Sequence, residues 1–402
     1  MQQLETDYLV IGTGAIGMTF VDVMLEETDA NFIMVDRFHM PGGHWNNAYP
    51  FVRLHQPSAF YGVASTDLGS NRIDEIGSNK GYYELASGPE ISAYFEKVMR
   101  ERFLASGRVQ YFPMCNYEGN NTFSSLLSED KYTVTVNKKL VDGTFFKTTV
   151  PSMHQRNFEV DSDVKCIPPN DLPRLAAGHK SFVVLGGGKT AMDTCVWLLD
   201  NGANPDTITW VRPRDSWLMN RRTTQPGAAF FETTVGSFAD NLDAMRDATS
   251  VTDLFSQMEA SGSMLRIDQT VEPTMFHYAT ISEGELDQLR RIKHVIRGQR
   301  IQQLENNKMI MTDGESVSVA ENTLFVDCTA RAVPLGDDQL THTVFEPGQI
   351  TLQVVFAPLL TYSAAVIAYV EANFETDKEK NALCNPIQLA DTPAQWMPST
   401  LG

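Results

Sequence analysis

The sequence predicts an α/β protein in which two strand–turn–helix units share one chain, the second inserted into the first. Three observations predict it. Short apolar runs at Tyr8–Ile11 and Phe182–Leu185 each feed directly into a glycine-rich turn that opens a helical pattern. This unit occurs twice, with first glycines Gly12 and Gly186 174 residues apart, and no repeat at a solenoid period accompanies it. A third apolar run, Leu324–Val326, follows the second unit, and a strand and a helix come after it.

In chain order, the first strand is followed by the turn, a helix and a second strand, Asn31–Val35. A polar, glycine-rich stretch runs from about Gly62 to Gly88, and the helix Glu90–Leu104 comes next. Lys131–Val136 and Phe145–Val150 read as strands around a turn at Asp142-Gly143. Pro168-Pro169-Asn170-Asp171 and Pro173 mark a crossing between domains. Beyond the strand Thr207–Val211, the region Ser237–Met258 is expected to be helical and amphipathic. Glu283–Ile292 is a further helix, with Ser282 as N-cap and Glu285 three residues on. A hairpin-like stretch (Val295–Ile301, Lys308–Thr312), a strand Thr351–Phe356 and a helix Ser363–Asn373 close the order. The expected division is 1–170 with 325–402 as one domain and 171–324 as the other, which carries a helical insertion at about 228–292.

At 402 residues the chain has room for two cores, and 42% hydrophobic with 20% charged residues is an ordinary globular composition. The formal charge of −18 repels a phosphate backbone and an anionic membrane surface, so neither nucleic acid nor membrane is an expected partner. No apolar run is long enough to span a bilayer, and the chain enters a strand almost at once. Five scattered cysteines without a C-x-x-C pair fit a reducing, cytoplasmic setting and leave no dithiol for a disulfide relay. The eight histidines lack metal-ligand spacing, and no G-x-S-x-G elbow occurs.

The first turn is Gly12-Thr13-Gly14-Ala15-Ile16-Gly17, a G-x-G-x-x-G between strand and helix. Gly12 permits the tight turn, Gly14 the approach of a pyrophosphate, and Gly17 close helix–strand packing. Asp36 ends the next strand 19 residues past Gly17. A carboxylate there accepts from a ribose 2′-OH and repels a 2′-phosphate, so the site suits FAD or NAD. The second turn, Gly186-Gly187-Gly188-Lys189-Thr190-Ala191, is G-x-G-x-x-A, and Gly186, Gly188, Lys189 and Thr190 are expected to bind its nucleotide. Val183 stands where a P-loop requires glycine, so the triphosphate motif fails. Arg212 and Arg214 end the following strand, where arginine holds a 2′-phosphate, so this site is expected to take NADPH. One flavin and one exchanging NADPH make hydride transfer between them the economical chemistry.

Most of the chain resembles the two-dinucleotide-binding-domain flavoproteins, especially the class B flavoprotein monooxygenases (flavin-containing monooxygenases, Baeyer–Villiger monooxygenases and N-hydroxylases). Five features carry the resemblance in order: the first glycine turn with Asp36; Gly42-Gly43-His44-Trp45; Tyr49-Pro50 with Arg53; the second glycine turn with Arg212; and Asp327-Cys328-Thr329-Ala330. It implies an FAD-binding Rossmann-like domain with an inserted NADPH-binding one. It implies that Arg37, Gly43, His44 and Trp45 lie along the flavin, that the residues after Tyr49-Pro50 reach its ring, and that Thr329 and Ala330 form the family's A-T-G turn. The chain departs from the family in three places. No F-x-G-x-x-x-H-x-x-x-W fingerprint lies between Pro151 and Lys180, His55 stands where Baeyer–Villiger enzymes often have aspartate, and Ala330 replaces the A-T-G glycine.

Arg53, His55 and Gln56 form the densest polar cluster in the flavin-facing region. Arg53 is expected to supply charge, His55 a hydrogen bond or a proton path, and Gln56 a contact to the flavin edge or nicotinamide amide. The alternative is that Arg53 and His55 brace the loop through backbone carbonyls. Trp45 and Trp217 are expected in packing as readily as beside a ring, and Gly336-Asp337-Asp338 reads as a loop. The phenylalanines and methionines between about Ala228 and Glu272 suit either a substrate-facing surface or an ordinary core face. The expected function is an FAD-dependent, NADPH-oxidising monooxygenase that transfers one atom of O₂ to a small or medium organic substrate. The alternatives are a reductase without oxygen insertion and a regulatory FAD/NADPH sensor.

Overall fold

The computed structural model describes residues 2–332 and 342–401; the Gly336-Asp337-Asp338 segment lies outside the described residues. Two sheets organise the chain. In the eight-stranded first sheet, Gln2–Ile11 is central, parallel to Phe32–Val35 on one side and to Lys131–Asp142 on the other. Val109–Phe112 extends it beyond Phe32–Val35 and Gln349–Thr351 beyond Lys131–Asp142, both in parallel. Antiparallel pairs complete it: Phe345–Glu346 at one edge, and a Cys115–Gly119/Thr122–Ser125 hairpin on Lys131–Asp142. The second sheet is parallel throughout, in the order His294–Ile296, Ile208–Val211, Ser181–Leu185, Thr323–Asp327, Cys166–Ile167.

Strands covered on both faces must be apolar on both, and the central ones are: Leu9, Val10, Ile33, Met34, Val183 and Val184 are all buried. The helix Ala15–Glu27 packs Met18, Val21 and Met24 with Ile367 and Ala368 of Leu360–Asn373 against the first sheet. The helix Lys189–Asp200 covers the second with Ala191, Met192, Cys195 and Leu198. The capping box at Ser282 and Glu285 is formed. No helix among the described residues is long and apolar enough to cross a membrane.

Several expected elements are corrected. Asp142-Gly143 is not a hairpin turn: the strand Lys131–Asp142 runs on to Asp142 beside Gln2–Ile11, and Gly143 donates its N–H to the Ile11 carbonyl at 2.8 Å. Phe145–Val150 forms no strand, because Phe146 packs with Val354 and Leu389 in a small cluster of its own. Thr351–Phe356 shifts to Gln349–Thr351, where the ladder to Lys131–Asp142 ends. The hairpin pairs Ile301–Glu305 with Lys308–Met311, and His294–Ile296 belongs to the second sheet instead. The helix expected over Glu90–Leu104 is α-helical from Gly88 to Val98 and widens to a π-turn over Met99–Phe103. Residues 228–292 are not wholly helical. Helices Phe231–Asp247 and Val251–Ala260 precede strands Met264–Leu265 and Met275–Ile281 and the helix Glu283–Leu289. The expected boundary between 324 and 325 falls inside Thr323–Asp327, a strand of the second sheet.

At Gly17 a Cβ would lie 2.1 Å from the Gly12 carbonyl oxygen, whereas at Gly188 it would meet nothing within 4 Å. Gly17→Ala is therefore expected to cost at least the ~1–3 kcal/mol typical of overpacking, and Gly188→Ala no more than about 1 kcal/mol, the cost of a poorer N-cap. Urea unfolding of both variants checks this, and equal losses would sink the close-packing account.

Candidate functional site: two glycine turns and the buried ions between them

Each glycine turn sits at the carboxyl edge of its sheet where strand order reverses, the position at which open parallel sheets bind ligands. At the first, Gly12 has φ 93°, and a Cβ on it would come 3.0 Å from Thr144 Cγ2, at the end of the neighbouring strand. Gly14 caps the helix that Ala15 begins. Gly42 and Gly43 (φ 110° and 59°) bring a second loop onto the turn, so that a Cβ on Gly43 would lie 3.0 Å from Gly14 Cα. Gly42 N–H donates to the Thr13 carbonyl at 2.8 Å. The result is a cradle of bare main chain at a helix N-terminus.

Asp36 closes this cradle, accepting from Thr13 N (2.6 Å), Thr13 Oγ1 (2.8 Å) and Phe38 N (2.9 Å). Two carboxylate oxygens have about four acceptor sites, so one is left for a ligand hydroxyl. The Tyr111 hydroxyl faces the same corner, buried without a hydrogen-bond partner among the described residues; burial, and then the Asp36 carboxylate, push its pKa upward. Arg37 is exposed over the Phe38 ring. His44 lies half-buried beside Trp45, and burial holds it down to about 4, so it is neutral near pH 7. Trp45 donates to the Tyr61 hydroxyl at 2.7 Å.

The second turn repeats the construction. Gly186 has φ 122°, and a Cβ on it would lie 2.6 Å from the Cys328 carbonyl oxygen, just past the neighbouring strand. Gly188 caps the Lys189–Asp200 helix with open space before it. Arg212 is fully buried over Trp210 (4.4 Å) and paired with Asp215 at 3.0 Å, yet its Nε and Nη1 have no partner among the described residues. Burial lowers its pKa. Arg214 is exposed two residues on, and Asp215 is shared with Arg297 at 3.0 Å. Thr329 folds back on Asp327 through its N–H (3.0 Å) and hydroxyl (2.6 Å) and meets His154 Nε2 at 3.2 Å; Ala330 follows, half-buried. A polar cleft of about 460 Å³ opens there, lined by Ser152, His154, Arg156 and Asp327.

Lys189 departs from expectation. Its ammonium turns away from the turn into a buried pocket, bonded to Asp193 and, at 3.1 Å, to Glu285. Two carboxylates within reach in a desolvated site balance its charge there. Asp193 also accepts from the Tyr49 hydroxyl at 2.7 Å. Glu285 accepts from Ser282 N (2.9 Å) and from Arg221 (2.5 Å). Arg221, itself buried, donates to the His55 carbonyl at 2.8 Å and to Asn79 at 3.3 Å. A continuous chain, Tyr49–Asp193–Lys189–Glu285–Arg221–His55, thus joins the segment after the first unit to the second unit. Sequence reading missed Asp193, Glu285 and Arg221 as site residues. The i,i+4 spacing of Lys189 and Asp193 was the available signal.

The three catalytic candidates do not converge. Arg53 is exposed, donates to the Leu85 carbonyl at 2.9 Å and bridges Ser87 through its backbone. His55 is held by its carbonyl; burial first, then the Lys189 and Arg221 charges, keep its ring down to about 3, so it is neutral near pH 7. Gln56 is half-buried beside it. Trp217 is fully buried, with its ring 5.4 Å from Phe255 and under Arg266, as a packing residue.

No protein-family model matches the chain. It belongs to the family of the uncharacterized protein Rv2000 of Mycobacterium tuberculosis, with 46% identity over 394 residues, 98% of this chain and 72% of that protein. Among solved structures it is similar to cyclohexanone monooxygenase from Rhodococcus sp. Phi1 bound to NADP⁺, with TM-score 0.55, 13% identity, and coverage of 92% of this chain and 84% of that one. It is also similar to the bacillithiol disulfide reductase Bdr (YpdA) from Bacillus cereus, with TM-score 0.53, 13% identity, and coverage of 92% and 100%. These likenesses show that the chain shares its α/β fold with those proteins.

Glu285 is held well below the usual carboxylate range by Lys189 and Arg221 against the opposing effect of burial. A depressed folded-state pKa contributes stability above the unfolded value that is lost as pH falls toward the folded one. Glu285→Gln is therefore expected to lower the melting temperature near neutral pH and to flatten its decline below about pH 4.5. Melting curves across that range check it; an unchanged acid slope would remove Glu285 from the linkage.

Proposed function

We propose that the chain is an FAD- and NADPH-dependent oxidoreductase, and specifically a monooxygenase that transfers one atom of O₂ to a small or medium organic substrate. One observation carries the cofactor assignment. Two cradles of the same design end in opposite charge, a carboxylate with one acceptor site to spare at Asp36 and a guanidinium with two orphaned buried donors at Arg212. The first suits a free ribose and the second a 2′-phosphate. On this reading Gly12, Gly14, Ala15, Gly17, Asp36, Gly43 and Trp45 hold FAD within a domain formed around the first sheet. Gly186, Gly188, Thr190, Arg212 and Arg214 hold NADPH around the second.

FAD supplies a two-electron acceptor and, once reduced, reactivity toward O₂. The chain's own part is to orient and exclude water. The Gly14 and Gly188 helix ends fix the two pyrophosphates, and the buried ions hold Tyr49 through His55 against the second unit. Neutral His55 offers a hydrogen bond rather than a charge. A reductase without oxygen insertion is the second reading, favoured by Arg53 turning to Leu85 instead of joining His55.

The test is anaerobic mixing with NADPH, then with oxygenated buffer, followed by the flavin absorbance. Bleaching by NADPH with a transient species before the oxidised spectrum returns supports the monooxygenase. Direct return supports the reductase, and no bleaching defeats both. For nucleotide choice, Arg214→Ala is expected to raise KM for NADPH about 10- to 100-fold, the value of a charged hydrogen bond, while leaving KM for NADH and FAD content unchanged. A parallel loss for both nucleotides would remove Arg214 from 2′-phosphate recognition.

A further inference from the structure

Four buried side-chain polar atoms among the described residues lack a hydrogen-bond partner: Nε and Nη1 of Arg212, Oδ1 of Asn170 and the hydroxyl of Tyr111. Arg212 belongs to the second turn, and the Asn170 amide nitrogen already serves the Asn47 and Ala48 carbonyls at 3.1 Å. Tyr111 stands at the first turn, and its one side-chain polar group is spent on nothing there.

Tyr111 lies on Val109–Phe112 opposite Met34, two residues before Asp36. Side chains two apart on a strand share a face, and the ladder holds past Met34, since Asp36 N–H donates to the Phe112 carbonyl at 3.1 Å. Tyr111 therefore points to the Asp36 side of the sheet, with its ring half-buried and its hydroxyl inside, beside Thr13 and Asp36. Thr13 gives both its N–H and its hydroxyl proton to Asp36 (2.6 and 2.8 Å). Burial pushes the Tyr111 pKa further above its ordinary value, so the hydroxyl keeps its proton and is a donor. A buried donor without a partner destabilises the ligand-free protein.

A ligand group that suits this corner gives a hydrogen to Asp36, which has one acceptor site over, and takes one from Tyr111. A phosphate or carboxylate only accepts and an ammonium only donates, whereas a hydroxyl does both. We infer that Tyr111 is a specificity-determining residue of the first site: with Asp36 it selects a sugar hydroxyl, donating to the oxygen whose own proton goes to Asp36. The inference rests on the assignment of FAD to the first turn, where the adenosine ribose is the hydroxyl-bearing group at this strand end. A 2′-phosphate would satisfy Tyr111 but set an anion against the Asp36 carboxylate, so the pair excludes it.

Tyr111→Phe keeps the ring and removes only the hydroxyl. Titration of the flavin-free full chain with FAD, followed by flavin fluorescence, is expected to show affinity about 3- to 10-fold weaker in the variant. FAD whose adenosine is 2′-deoxy is expected to bind the wild type about tenfold more weakly than FAD does, and the variant no differently from the wild type. The flavin-free melting temperature should be unchanged or higher in Tyr111→Phe, because an unpaired buried donor has gone; a packing role would lower it. Equal FAD affinity in variant and wild type, equal weakening of the variant toward FAD and its 2′-deoxy analogue, or a wild type indifferent to the 2′-hydroxyl overturns the inference. A wild type that takes up no FAD overturns the flavin assignment itself, and the inference with it.

Discussion

Two cations and two carboxylates buried in alternation hold the site together. Lys189, Arg221, Asp193 and Glu285 are each almost wholly removed from water, and each would be prohibitively costly alone. Charge balance makes the group tolerable, and bonds with Ser282, Tyr49, Asn79 and the His55 carbonyl satisfy further donors and acceptors. Because its members come from the segment after the first unit, the second turn's helix, the strand–loop at Arg221 and the Glu283–Leu289 helix, no two of those parts can move apart independently. Apolar packing reinforces the ions: Leu286 and Leu289 share a core with the Lys189–Asp200 helix, and Phe51 stacks on Trp197 of it.

The two turns, by comparison, are set by sterics. Gly12 abuts Thr144 and Gly186 abuts the Cys328 carbonyl, so each turn is wedged against the strand across its switch point. Main-chain geometry is thereby the same in both, and identity is left to the side chain at the end of the next strand. Arg212 is the costlier choice. Its guanidinium is stacked on Trp210 and paired with Asp215, while Nε and Nη1 have no partner among the described residues.

Local features were legible in the sequence. The glycine turns, Asp36, Arg212 and the Ser282–Glu285 cap each depend on residues within a few positions of one another. Features that depend on distant neighbours were not. Asp142-Gly143 looks like a hairpin turn until Gly143 is seen beside Ile11, where a Cβ would come 2.9 Å from a carbonyl oxygen. Lys189 looks like a phosphate ligand until Glu285, 96 residues on, is found beside it. The phenylalanines and methionines from Phe230 to Met258 are visible in the letters, but only burial separates the exposed Phe231 and Phe238 from the core residues Phe255 and Met258.

The placement of strands also orders the sheets in time. The second sheet draws its strands from Cys166 to Asp327, and the ribosome has delivered all of them before Gln349–Thr351 appears. The first sheet has its central strand made first and flanked once Phe32–Val35 and Lys131–Asp142 follow, but Gln349–Thr351, the neighbour of Lys131–Asp142, is made only after the whole second sheet. The Leu140–Asp142 end of Lys131–Asp142 therefore keeps an open edge while the inserted unit is made, and that unit, though later in sequence than the central strand, has all its strands before the first sheet is complete.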